Sequence, residues 1–272
     1  MNRFGRARHQ QGQATVWILA TLALAVMAFL SGEVDRIVDA KRQARPALQA
    51  KYLQDSGTAI ADWYQRDIAT LDADGAPTLT EADVLAGAGL TPRHGLRLAI
   101  SQPITQGNLR WHSIALWIPP EANDATTFDA ATGRLTPDPR ALSYVVSGQA
   151  LQQAAWQRTT EAVANLVSAL NAYAQQRGRA LGGDVTRNPF RALDCSQVEA
   201  GELPCLNDYV PAPTIAATLG LNPGQLVDAW NRPLLVSGGT DANKTAAPYS
   251  MAVKATTPWG ASLVSVALQS LH

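Results

Sequence analysis

Charge is what this sequence has least of. Asp, Glu, Lys and Arg make up 16% of its 272 residues, below the ~25% usual for globular chains. The 22 basic residues also cancel the 22 acidic ones. A chain with no net field has little to draw in a polyanion, so no nucleic-acid partner and no direct base readout is expected. Cysteine is nearly absent as well: two residues exclude a disulfide-rich scaffold and any multi-cysteine zinc module. No Gly-x-Ser-x-Gly, P-loop or dinucleotide fingerprint occurs, and no cofactor is implied. What remains is apolar. Hydrophobic residues reach 46%, enough for a packed core and incompatible with wholesale disorder. Ala, Gln, Thr and Ser stand in for charge, which suits an exported protein held in an assembly.

The N-terminus has the strongest pattern. Arg3, Arg6 and Arg8 precede a stretch from His9 to Gly32 without a formal charge, ended by Glu33 and Asp35. Within it, Ala14 to Leu30 is apolar apart from Thr15 and Thr21. As a helix it would measure roughly 25 Å at ~1.5 Å per residue, marginal for a ~30 Å hydrocarbon core. The charge asymmetry predicts an inside N-terminus and an outside body. Three readings fit: a cleaved signal peptide with Ala23-Leu24-Ala25 as its cleavage site, an uncleaved anchor, or a leader that ends at Gly12. Ser31-Gly32 interrupts only briefly, and Val34, Ile37, Val38, Leu48, Tyr52 and Leu53 then fall near helical spacing. The pattern predicts a long helix over 13–70, apolar first and amphipathic later, bent at Pro46 and weakened at Gly57.

In the body, the order of a short helix followed by strands occurs twice. Thr80 caps a predicted helix from Glu81 to Ala88, closed by Gly89-Leu-Thr-Pro, with strands at Leu96 to Ser101 and Ser113 to Ile118. Later comes a helix from Leu151 to Gln176, then a short one near Pro213 closed by Gly220-Leu-Asn-Pro. Strands are predicted at Leu234 to Ser237, Tyr249 to Lys254 and Ala261 to Leu268. The expected fold class is therefore α+β: a long N-terminal transmembrane/amphipathic helix, then two small helix-plus-antiparallel-sheet units over 71–135 and 140–272. The boundary is placed near residues 120–150, where Asn123 to Pro139 is rich in Asp, Thr, Gly and Pro.

Chemistry-bearing constellations are few. Asp72-Ala-Asp74-Gly fails a calcium-loop pattern, since Ala76 and Pro77 occupy ligand and glycine places, and reads as a turn. His94 and His112 have no sequence partner; His9 and His272 lie at the termini. Glu199 and Glu202 fall in a polar loop. The tryptophans at 17, 63, 111, 117, 156, 230 and 259 are dispersed and read as separate core or interface anchors. Cys195 and Cys205, ten residues apart, would close a short loop in an oxidising exterior. A zinc site or a catalytic thiol is the weaker alternative.

The order basic leader, Gly12, Gln13 and apolar run resembles a type IV prepilin leader over 1–12. In that family a dedicated peptidase cuts after the glycine and the apolar segment stays with the mature chain. Trp17, Leu19, Leu22, Leu24 and Phe29 would then line its membrane- and fibre-facing surface. Trp17 stands where most such pilins have a glutamate that registers neighbouring subunits, which implies few copies per fibre. Asp228-Ala-Trp230-Asn231-Arg-Pro233 is similar to the Asp-Pro-Trp-Gly-x-Pro turn of pseudopilins, with Trp230 plugging a sheet-to-helix seam and Asp228 capping backbone amides. Pilins also often staple a C-terminal loop as Cys195 and Cys205 could. Ala61-Asp-Trp-Tyr-Gln-Arg-Asp67, Thr80-Glu-Ala-Asp-Val-Leu and Gly89-Leu-Thr-Pro resemble the amino-terminal part of the conjugative thin-pilus adhesin. The resemblance implies a non-enzymatic minor pilin of a type IV pilus or a secretion or conjugation pseudopilus, acting in fibre priming or tip adhesion. Its implied partners are other pilin subunits, the assembly machinery, the prepilin peptidase and the inner membrane, with a fibre or pseudopilus location after assembly. A membrane-tethered periplasmic hydrolase and an envelope scaffold unrelated to pili are the rival expectations.

Overall fold

The structure, a computed structural model, describes residues 45–237 and 247–269. The chain divides into two units, Met1–Gln54 and Asp55–His272. Of the first, the described residues 45–54 are helical. That helix, α1, covers 45–66, and its later turns belong to the second unit. After it come α2 (Ile68–Leu71), α3 (Glu81–Gly87), β1 (Arg97–Ile100), β2 (Ile104–Gln106), β3 (Leu109–Trp111) and β4 (Ser113–Ile118). The short strands β5 (Thr127–Asp129) and β6 (Arg134–Thr136) precede β7 (Leu142–Ser147) and the long α4 (Gly148–Ala180). A loop region leads to β8 (Val210–Pro211), a 3-10 turn at Ala212–Ile215, α5 (Ala216–Leu219), β9 (Leu235–Ser237), β10 (Ser250–Thr256) and β11 (Ser262–Leu268).

Two antiparallel sheets organise the second unit. The first has the order β1-β4-β7. Its middle strand, β4, is buried at every position from Ser113 to Ile118. The apolar run from Ile114 to Ile118 fits a strand covered on both faces. The second sheet has the order β11-β10-β9-β8, with β10 and β11 paired along seven positions from Ser250↔Leu268 to Thr256↔Ser262. Two short hairpins, β2-β3 and β5-β6, stand beside them.

Helix α4 forms the link between the sheets, lying against β3 and β4 and also against β10 and β11. Its buried positions Gln152, Ala155, Thr159, Val163, Leu166, Leu170 and Ala174 recur every three or four residues, the period that keeps one helical face inward. Leu166 and Leu170 pack into a core with Leu234, Val236, Tyr249, Met251 and Val253. Full burial of each such side chain contributes roughly 1.5–3 kcal/mol.

Local chemistry sets the element ends. Thr80 accepts a hydrogen bond from the Asp83 amide, and the Asp83 carboxylate accepts from the Thr80 amide at 2.9 Å, a reciprocal cap that starts α3. Gly220 adopts φ 65° and closes α5 in the left-handed conformation. In α1, Gly57 is where the ring of Tyr144 from β7 comes so close that a Cβ would strike it. The close approach explains a helix-weakening residue in the middle of a helix.

The expected fold class needs correcting. The structure is α+β with small antiparallel sheets, but a long apolar N-terminal helix is not part of what it shows: among the described residues no helix is long and apolar enough to cross a membrane. The 33-residue helix that is present is α4, far along the chain, and Gln, Arg, Asn and Glu interrupt its sequence throughout. The helix at the N-terminal side breaks at Asp67, whose non-helical backbone separates α1 from α2. The apolar run 14–30, and with it Gly12, Gln13, Trp17, Leu19, Leu22, Leu24 and Phe29, lies outside the described residues, as does the predicted helical stretch over 33–44. Residues 123–139, expected as a boundary, contain the β5-β6 hairpin, and β7 beyond them completes the first sheet by pairing with β4.

Candidate functional site

Where α1, α2, β4 and α4 converge, polar groups replace the apolar core. Asp72, immediately after α2, is fully buried. Its Oδ2 accepts from the Tyr64 hydroxyl at 2.5 Å and from the Gln152 side-chain amide at 2.6 Å. Its Oδ1 lies 2.7 Å from His112 Nδ1. A carboxylate offers only lone pairs, so the proton of that last contact sits on Nδ1. The three donors offset the large penalty of burying the group. The Tyr64 oxygen in turn accepts from the His112 backbone amide at 2.9 Å. Burial, followed by the neighbouring Asp72 charge, pushes the Tyr64 phenol far above its ordinary range, so it stays a donor.

The relay continues into the second half of the unit. Gln152 Oε1 accepts from the Trp230 indole at 2.9 Å. Trp230 meets Trp259 edge-to-face, with ring centroids 5.4 Å apart, and the Trp259 indole donates to the Asn108 carbonyl at 3.0 Å. Gly148 opens α4 at the same place. Its amide donates to the His112 carbonyl, and a Cβ there would run into that carbonyl and the Tyr64 hydroxyl. Only glycine lets the first turn of α4 sit against the relay.

On the other side of His112 lies a cavity of about 430 Å³, within the range of small-molecule sites. Leu71, Leu79 and Ile100 give it apolar wall, while Thr78, Ser101, Gln102, Arg110 and His112 are its polar lining. His112 is 4% exposed, and its Nε2 has no hydrogen-bond partner among the described residues. A histidine held by a buried carboxylate with its far nitrogen open has the orientation of a general base. Yet Ser101 Oγ accepts from the Ser113 amide at 2.8 Å, and the His112 ring makes no hydrogen bond to a hydroxyl among the described residues. The arrangement is suited to holding a ligand; it is not joined to a nucleophile.

The residues singled out from the sequence fall in separate places. Asp228 is buried, and its Oδ1 accepts from the amides of Trp230 and Arg232 at 2.9 and 2.8 Å. Asn231 takes φ 61°, and Pro233 bridges back to Val227. Thr159 of α4 accepts from the Ala229 amide at 3.1 Å, which holds the turn to the helix. Of this turn, Trp230 alone joins the relay. Cys195 and Cys205 form a disulfide, with Cα atoms 5.6 Å apart, in the long loop after α4. Glu202 of that loop is buried and pairs with Arg177 of α4, and the Tyr173 hydroxyl donates to the Gly201 carbonyl at 3.1 Å. Among the described residues no group of His, Cys, Asp and Glu has the arrangement of a metal site.

Sequence reasoning missed Tyr64, Asp72, His112 and Gln152 as a set. Tyr64 fell within the predicted helix over 13–70, Asp72 read as turn and His112 as isolated. Asp72 and His112 are 40 residues apart, and Asp72 and Gln152 are 80 apart. No local signal joins them. No protein-family model matches the chain, and no curated protein or solved structure shows significant similarity to it.

Proposed function

We propose that this chain is a minor pilin-like subunit of a type IV pilus or of a related secretion or conjugation pseudopilus, acting without enzymatic turnover in fibre priming or tip adhesion. The observation that carries the reading is the layout of the second half of the Asp55–His272 unit. A long amphipathic helix, α4, buries one face on a four-stranded antiparallel sheet, and a disulfide closes the loop that follows it. This is the helix-on-sheet, stapled-loop plan that the pilin resemblance implies. The sequence order of Arg3, Arg6, Arg8, Gly12 and the apolar run 14–30 supports it from the other end. Its partners are then other pilin subunits, the assembly machinery, the prepilin peptidase and, before assembly, the inner membrane; its final place is a fibre or pseudopilus.

The test is the mature N-terminus of protein made in a host with a prepilin peptidase, read by mass spectrometry. A chain starting at Gln13, with processing lost in Gly12→Leu, supports the assignment. Cleavage after Ala25, or an intact leader, sinks it. A second reading, a periplasmic hydrolase, draws on the Asp72–His112 pair. Labelling of Ser101 by a fluorophosphonate, abolished in His112→Gln, would replace the first reading with that one.

A further inference from the structure

We infer that the cavity beside His112 is a binding site for a small hydroxy acid. The argument starts from what each wall can offer. His112 Nδ1 faces Asp72 at 2.7 Å. With Nδ1 donating to that carboxylate, the neutral ring presents an Nε2 lone pair that accepts a hydrogen bond from a ligand hydroxyl. Asp72 itself is held by Tyr64 and Gln152, which keeps its other oxygen on Nδ1 and leaves Nε2 as the ring nitrogen for a ligand. The acceptor is fixed in place before any ligand arrives, which lowers the ordering cost of binding.

Arg110 supplies the opposite preference. Its guanidinium lies on the same cavity and reaches Asp74 at 3.4 Å, but Asp74 is 84% exposed. An ion pair that open to water contributes at most about 1 kcal/mol, so Arg110 can be drawn to a carboxylate, which its planar fork matches better than a point charge does. Ser101 adds a hydroxyl whose oxygen is already an acceptor for the Ser113 amide; its own proton remains to be donated to a ligand oxygen. One cation on Arg110, the His112 acceptor and the hydroxyl and amide groups of Ser101, Thr78 and Gln102, set against Leu71, Leu79 and Ile100, suit a monoanion with hydroxyls and a carbon skeleton. Inorganic phosphate has no carbon skeleton for those walls.

This inference does not rest on the pilin-like assignment, and each can fail without the other. Titrating the full chain with glucuronate, followed by calorimetry and by the His112 ring resonances, tests it. Glucuronate should bind saturably, while glucose, lacking the carboxylate, and hexanoate, lacking the hydroxyls, bind at least tenfold more weakly. Arg110→Gln, on a half-buried side chain away from the relay, should lose at least tenfold in affinity for glucuronate and little for glucose. Binding of none of these compounds up to about 10 mM, beyond the weak end of specific recognition, overturns the site. Equal binding of inorganic phosphate, or glucuronate affinity unchanged in Arg110→Gln, overturns the assignment of its ligand.

Discussion

At the scale of single residues, Asp72 carries the largest expectation. Replacing it with Ala leaves the Tyr64 hydroxyl, the Gln152 amide and the His112 ring without their acceptor in a buried place, and each orphaned group costs about 1–3 kcal/mol. Asp72→Ala should therefore lower unfolding stability by more than about 3 kcal/mol in urea titrations. Asp74→Ala, two residues away and exposed, should stay within about 0.5 kcal/mol of wild type. Asp228 makes a pH-dependent prediction of the opposite kind. Burial raises its pKa despite the two amides and Arg232. A carboxyl with a raised folded-state value takes up its proton in the folded state first, so its contribution to stability rises as pH falls towards the ordinary value near ~3.9. Asp228→Asn keeps an oxygen for the two amides and removes the charge. Its stability relative to wild type should be highest near neutrality, by a few tenths to about 1 kcal/mol after solvent screening, and shrink as pH drops toward 4. A gap that widens on acidification would contradict this account of Asp228.

At the scale of elements, regular periodicity decided what could be read. β4, with its apolar Ile114–Ile118 run, and α3, with Thr80 ahead of it, were legible because one strand of neighbouring residues or one cap contains the whole signal. α4 was legible as a helix, although it runs from Gly148 to Ala180, beyond the expected Leu151–Gln176. β7 was not: only Val146 of Leu142–Ser147 is fully buried, and Ser143 and Tyr144 make it look like loop. The hairpins β2-β3 and β5-β6 have three residues per strand, too few for a period to show. The Asp228 turn was visible as a string of letters, but the relay of Tyr64, Asp72, His112 and Gln152 exists only once four elements have packed. The disulfide loop yields a further expectation. Cys195→Ser with Cys205→Ser should cost about 2–3 kcal/mol, the loop-closure value for a ten-residue span. A melting temperature unaffected by the double change and by reductant would count against it.

For the molecule as a whole, the relay and α4 tie both sheets into one set of interactions. Gln152 touches Asp72 near the first sheet and Trp230 near the second, and α4 packs on both. The Asp55–His272 unit should accordingly unfold in one transition, with far-ultraviolet and tryptophan signals superimposed. Gln152→Ala, which cuts the relay at its middle, should separate the two curves or lower the urea m-value. Two well-resolved transitions in the unaltered protein would show that the halves fold independently.

The stapled segment after α4 has a practical corollary. Between Leu181 and Tyr209 the chain has little repeating backbone order; the sulfur–sulfur bond closes it on itself, and the Arg177 pair and the Tyr173 hydroxyl fasten it to its helix. Synthesis in a glutathione-rich cytosol would deliver two thiols where the mature molecule has a bond. Recombinant material should therefore be made in the periplasm or refolded under air, since a reduced preparation invites cross-linked oligomers that sample handling created.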